Sequence, residues 1–211
     1  MVLESCVETF GEAINAWKLG ANRLELCSHL EMDGLTPAPE LTRKVCKAVP
    51  IPVMVMIRPR AGNFVFTSGE IRLMAAQIAE AKAMGASGIV LGLLTNEGEI
   101  DLEATGSLAK LAAPLPVTFH KAIDTMADPV KAIRVLKNVE GVSRVLTSGG
   151  KATAKEGYQT IQEMIQEGSG KITIIAAGKV TLHNYIEIGT LTGATELHGR
   201  RIVGDLQTHS S

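Results

Sequence analysis

Aromatic residues are scarce in this sequence, with one Trp, two Tyr and four Phe among 211 positions, and cations do not outnumber anions, the formal net charge being -1. Both shortages argue against a nucleic-acid partner, because the phosphate backbone attracts clustered cations and unpaired bases stack on aromatic platforms. Cysteine is also sparse. Cys6, Cys27 and Cys46 cannot all pair with one another, so they are read as thiols of a reducing compartment: packing residues, soft ligands or nucleophiles. No run approaches the roughly 20 apolar residues of a membrane span. The opening stretch Met1-Val2-Leu3-Glu4-Ser5-Cys6 shows neither the basic segment nor the apolar run of a secretory signal. A cytoplasmic protein without a membrane partner is the expectation. Motifs that fix a reaction type are missing as well: there is no G-x-S-x-G, no P-loop and no H-E-x-x-H.

What the sequence does contain is an apolar content of 45%, enough to bury the core of one domain over residues 1–211. Short β-branched runs lie near residues 2–6, 23–27, 53–58, 88–93, 116–120, 143–148, 172–177 and 195–199. Amphipathic segments separate them, such as Phe10, Ile14 and Trp17 at i, i+4, i+7 and Ile71, Met74 and Ile78 at i, i+3, i+7, spacings that put apolar side chains on one helix face. Thr67 with Glu70 reads as a capping box, and Asp128-Pro129 as an N-cap followed by Pro at the first helical position. Four helix-to-strand junctions repeat one form, Gly20-Ala21-Asn22, Gly85-Ala86-Ser87, Gly141-Val142-Ser143 and Gly193-Ala194-Thr195, and each spacing spans two βα units. No glycine-rich dinucleotide turn follows the first strand, as a doubly wound sheet would usually carry. An α/β fold of the (β/α)₈ TIM-barrel type is predicted. Only residues 200–211 follow the last strand, as a C-terminal tail, so the eighth helix is expected to be short or missing. A second copy of the chain is expected to cover the gap, giving a homo-oligomer.

Residues two apart on a strand share a face, and strands 8, 1 and 2 carry Glu196-x-His198, Glu4-x-Cys6 and Glu25-x-Cys27. Closure of the barrel would bring these three acid-spacer-ligand pairs into one lumen, the second member of each nearer the C-terminal mouth. Two thiolates at matched heights on adjacent strands suit a soft ion such as Cu(I), with His198 or a Met thioether as a further ligand. A plain alternative makes Cys6 and Cys27 core hydrophobes, with Glu4, Glu25 and Glu196 neutralising Arg58, Arg60 and Lys121 in a structural network. On the other wall, strand 3 runs into Arg58-Pro59-Arg60 and strand 5 into His120, Lys121 and Asp124. Strand 6 ends in Ser148-Gly149-Gly150 and strand 7 in Gly178-Lys179, turns that offer backbone N–H groups to an anion. These residues support an enzyme acting on a small anionic, even phosphorylated, metabolite: Arg58 and Arg60 clamp the anion, Ser148, Gly149, Gly150 and Gly178 cradle it, and Glu25, His120 or Asp124 serves as acid or base. The loop from Ser28 to Pro39 is a candidate lid.

Ala21-Asn22-Arg23-Leu24-Glu25-Leu26-Cys27, Gly34-Leu35-Thr36-Pro37, Met56-Ile57-Arg58-Pro59-Arg60-Ala61-Gly62, Thr118-Phe119-His120-Lys121-Ala122 and Leu146-Thr147-Ser148-Gly149-Gly150 occur in an order and form that resemble the CutC copper-homeostasis proteins. That resemblance spans nearly the whole chain. It implies a barrel, a cytoplasmic location and a part in copper tolerance through Cu(I) binding, with the suggested ligands falling on Cys6 and Cys27. The sequence departs from the usual pattern at Lys121, Ile123 and Lys179.

Overall fold

The computed structural model describes residues 1–207. Eight parallel strands close into a ring in chain order: β1 (Val2–Val7), β2 (Arg23–Leu26), β3 (Val53–Met56), β4 (Gly88–Leu91), β5 (Val117–Phe119), β6 (Val142–Thr147), β7 (Thr173–Ala176) and β8 (Glu196–His198). Seven helices alternate with them: α1 (Phe10–Lys18), α2 (Pro39–Ala48), α3 (Ser68–Met84), α4 (Leu102–Ala112), α5 (Pro129–Leu136), α6 (Tyr158–Gly168) and α7 (Tyr185–Thr192). This is the TIM-barrel architecture read from the strand and helix spacing.

Local chemistry sets the helix boundaries. Thr67 and Glu70 form a reciprocal capping box at the start of α3, and Asp128 caps α5 with Pro129 in its first turn. The repeated junction glycines all adopt positive φ, from 76° at Gly193 to 98° at Gly20. Left-handed backbone at a helix end is cheap only for glycine. That requirement is the physical content of the sequence repeat.

Apolar side chains separate into two environments because successive strand residues face opposite ways. Those facing outward, including Leu24, Val55, Ile89 and Phe119, join the helix faces in the main core. Those facing inward include one cluster of Cys27, Met54, Met56 and Val90 and another of Leu146, Ile175 and Ala177. Among the described residues no helix follows β8. The gap is nonetheless partly covered from within the chain: Ile202, Val203 and Leu206 are buried in the outer core, and Asn15 Nδ2 donates to the Leu206 carbonyl at 3.0 Å. These residues cover part of that surface, while Leu19 and Leu182 beside Gly204 stay about half exposed. Residues 208–211 of the expected tail lie outside the described residues. No described helix is long and apolar enough to cross a membrane.

Candidate functional site at the barrel mouth

Strand register decides which inward-facing groups meet. Glu4 pairs in register with Arg23 and His198, while Cys6 pairs with Glu25, not with Cys27. The lower part of the lumen therefore holds a charge cluster. Arg23 Nε donates to Glu4 Oε2 and Arg23 Nη2 to Glu196 Oε2 at 2.5 Å, while Arg144 Nε lies 3.4 Å from the same Glu196 oxygen. Arg58, Arg60 and Lys121, the partners that the sequence pattern suggests for these glutamates, do not pair with them. The partners of Glu4 and Glu196 are instead Arg23, which is buried, and Arg144, which is half-buried, neither suggested by the sequence pattern. One signal was available, since Arg23 is in phase with Glu25 on β2.

Above this cluster, His198 Nδ1 is 2.8 Å from Glu4 Oε1, and its Nε2 is 3.8 Å from Glu25 Oε2. Ligand atoms of Glu4, Glu25 and His198 all lie within 4.8 Å of one another. Burial by itself would raise the Glu4 carboxyl, but the His198 hydrogen bond and the charges of Arg23 and His198 outweigh it and hold Glu4 down to about 2. His198 loses by burial and gains more from Glu25, Cys6 and Glu4, so its imidazole is pushed well above the ordinary range. Glu25 is pushed up to about 7, chiefly by burial, with the His198 charge opposing. Cys6 stands beside His198, influences its proton, and lines the cavity.

Cys27 does not join them. Its side chain is fully buried among Met54, Met56 and Val90, its Sγ faces the Val7 carbonyl at 3.6 Å, and its Cβ lies against Gly34. Burial, reinforced by the charge of Glu25, raises its thiol far above the usual range. The matched thiolate pair is thus not formed, because register offsets the two cysteines by one lumen position. Cys46 is half-buried on α2 and packs against the outer core.

The opposite wall departs from the expected anion clamp. Arg58 is buried and faces the cavity, but Nη1 donates to the carbonyls of Met32 at 2.8 Å and Gly34 at 3.1 Å, and Nη2 to Gly62 at 3.2 Å. The bonds to Met32 and Gly34 tie down the Ser28–Pro39 loop, as does the hydrogen bond from Leu30 N to Glu8 Oε2 at 3.0 Å, so the loop is anchored where a lid was expected. Arg60 is turned away from the cavity, its guanidinium engaged by Glu70 at 2.5 Å and by the carbonyls of Ala61, Asn63 and Val65. It is a loop staple.

The turn after β6 is an anion cradle whose anion belongs to the chain. Asp124 accepts from Ser148 N at 2.9 Å, Ser148 Oγ at 2.9 Å and Gly150 N at 3.0 Å, and also from Thr147 Oγ1. A carboxylate with this many donors is a structural anchor, so neither a free base at Asp124 nor a phosphate site at Ser148 and Gly150 is available. Gly149 N is taken by Thr147 Oγ1 at 2.9 Å. Gly178 serves close packing: a Cβ there would approach Ser148 Cβ to 2.9 Å.

His120 is buried at the end of β5, where its Nδ1 accepts from Ala122 N at 3.2 Å. Burial, then the nearby charge of Arg58, lowers its imidazole to about 3. The ring is neutral. Its Nε2, Arg58 Nε and Glu25 Oε1 are buried polar atoms without partners. All three side chains line one cavity of about 570 Å³ at the C-terminal mouth.

Residues 1–203 match the CutC family. A human protein named copper homeostasis protein cutC homolog is 44% identical over 197 residues, covering 93% of this chain and 72% of its own length. A CutC protein of Pasteurella multocida is 41% identical over 94% of this chain and 81% of its own. The crystal structure of the CutC protein of Streptococcus agalactiae superposes with a TM-score of 0.91 at 33% identity, covering 96% of this chain and 99% of the other. An aldolase, QR15, superposes with a TM-score of 0.72 at 12% identity over 98% of this chain and 92% of its own, a likeness of fold alone.

Proposed function

This chain belongs to the CutC copper-homeostasis family, and on that premise we propose that it takes up Cu(I) as cargo at the barrel mouth, through Cys6 and His198 and without Cys27. One observation carries the reading: the Glu4 carboxylate lies 2.8 Å from His198 Nδ1. A carboxylate on one ring nitrogen fixes the imidazole and leaves the other nitrogen to a metal that displaces its proton. Here the other nitrogen faces Glu25, and the Cys6 thiol stands beside the ring. Thiolate plus imidazole is a donor set that a soft monovalent ion accepts. Cys6 is in the cavity wall, open to an incoming ion, whereas Cys27 would have to lose its proton inside an apolar cluster. We place this activity in the cytoplasm, where reducing conditions keep Cys6 a thiol.

The test is an anaerobic competition titration against a chromogenic Cu(I) chelator. The expected result is one Cu(I) per chain, a loss of affinity of about tenfold or more in Cys6→Ser and in His198→Gln, and a Cys27→Ser protein that binds as the wild type does. Undiminished binding by Cys6→Ser overturns the assignment.

A further inference from the structure

The cavity is far larger than one ion needs. Its volume of about 570 Å³ falls within the range of small-molecule sites, and its two walls differ in chemistry. Cys6, Glu25 and His198 stand on one side, while Arg58, Phe64 and His120 stand on the other. The second side has no part in the copper reading.

Arg58 retains unused donors. A guanidinium has five N–H groups, and the three bonds to Met32, Gly34 and Gly62 leave one on Nη2 and the one on Nε, which is buried and unpartnered. Those two belong to neighbouring nitrogens, an arrangement that meets both oxygens of a carboxylate. His120 supplies a third donor. Because its Nδ1 accepts from Ala122 N, the neutral ring carries its proton on Nε2, the atom that also lacks a partner. Both residues pack on Phe64, with Arg58 Cζ 5.0 Å from the ring centre and the His120 ring at 5.0 Å. Buried donors are nearly always satisfied in folded proteins. Neither Arg58 Nε nor His120 Nε2 finds an acceptor from the chain, although both side chains line the cavity.

Charge alone would leave phosphate and carboxylate both eligible. Asp124 fills the turn at Ser148 and Gly150 where a barrel of this kind would cradle phosphate, which leaves an anion only the few donors of Arg58 and His120, a set that matches the two coplanar oxygens of a carboxylate. We propose that this wall binds a small, non-phosphorylated organic carboxylate, whose two oxygens meet the free N–H groups of Arg58 while an adjacent oxygen accepts from His120 Nε2. The body of the ligand lies against Phe64, Met56 and Leu146, which supply apolar lining. None of the donors is a copper ligand in the reading above, so the two assignments stand or fall separately.

Side-chain NMR of the ¹⁵N-labelled protein tests this in copper-free buffer, with the Arg58 Nε–H resonance followed during titration with succinate, pyruvate and inorganic phosphate. Saturable shifts with succinate or pyruvate, and none with phosphate, are expected. His120→Asn, whose amide oxygen still accepts from Ala122 N, should weaken the carboxylate about fivefold or more, the scale of one hydrogen bond. The inference is overturned if neither carboxylate moves the resonance, if phosphate binds as well as they do, or if His120→Asn binds unchanged.

Discussion

Asp124 and Ser148 are joined twice, the carboxylate accepting from the Ser148 backbone N–H at 2.9 Å and from its hydroxyl at 2.9 Å. An aspartate on the strand 5 loop thereby occupies the turn after β6, and the chain carries its own anion where related architectures admit a ligand's. Removing that carboxylate should therefore reopen the turn.

Asp124→Ala is expected to lower stability by about 2–4 kcal/mol, the cost of leaving several buried donors unmet. Inorganic phosphate should restore part of the loss by binding in the vacated turn. Thermal unfolding with and without phosphate reads both effects. A wild-type melting temperature that rises with phosphate as much as the variant's would show that Asp124 does not close the turn.

Glu4→Gln should be among the most damaging single changes in the lumen. It removes one of two carboxylates facing Arg23 and the partner of His198, and breaking a buried ion pair costs about 3–5 kcal/mol. Glu196→Gln should cost less, since Glu196 is partly exposed and Arg23 keeps Glu4. Urea midpoints of the two variants, compared at constant m-value, check the order.

His120 makes stability depend on pH in a defined direction. Its folded value of about 3 lies below the unfolded value of about 6.5, so between these limits the unfolded chain binds a proton that the native chain refuses. Stability thus falls on acidification through this window, by about 1.4 kcal/mol per pH unit from this group. His120→Asn cannot titrate there. The stability difference between wild type and His120→Asn should shrink from pH 7 towards pH 4 in denaturant titrations, and a constant difference would show that the ring protonates freely in the fold.

Gly92→Ala probes the support of the same ring. A Cβ at Gly92 would lie 2.5 Å from His120 Nδ1 and 2.6 Å from Cε1, so the imidazole must move, at a cost of about 1–3 kcal/mol for overpacking. In Gly92→Ala/His120→Ala the clash with the ring disappears and only the 3.2 Å approach to Ala122 Cβ remains. A double-mutant cycle by thermal unfolding should show strong coupling, whereas additive losses would show that the two positions do not touch.

Much of the barrel was legible because its signals are local. The eight strands, the Thr67–Glu70 box and the junction glycines at 20, 85, 141 and 193 each depend on a few consecutive residues. In the site, Glu4, Glu25 and His198 were rightly brought together by strand phase and ring closure. The offset between Cys6 and Cys27 was not legible, since phase within a strand is local and register between strands is not. Arg60 was within reach, because its captor Glu70 belongs to the capping box already recognised. Arg58 and Asp124 were not: their partners are the backbone of a loop some twenty residues earlier and a turn some twenty residues later, contacts that neither periodicity nor a motif announces.

Glu4 belongs to the first strand and His198 to the last, 194 positions apart in sequence. The bond between them crosses the seam at which the ring shuts, so a chain stopped short of β8 has no half-formed version of this centre. Ring closure and assembly of the imidazole with its carboxylate are one event. Occupancy at Cys6 and His198 would accordingly report whether an individual molecule has finished folding.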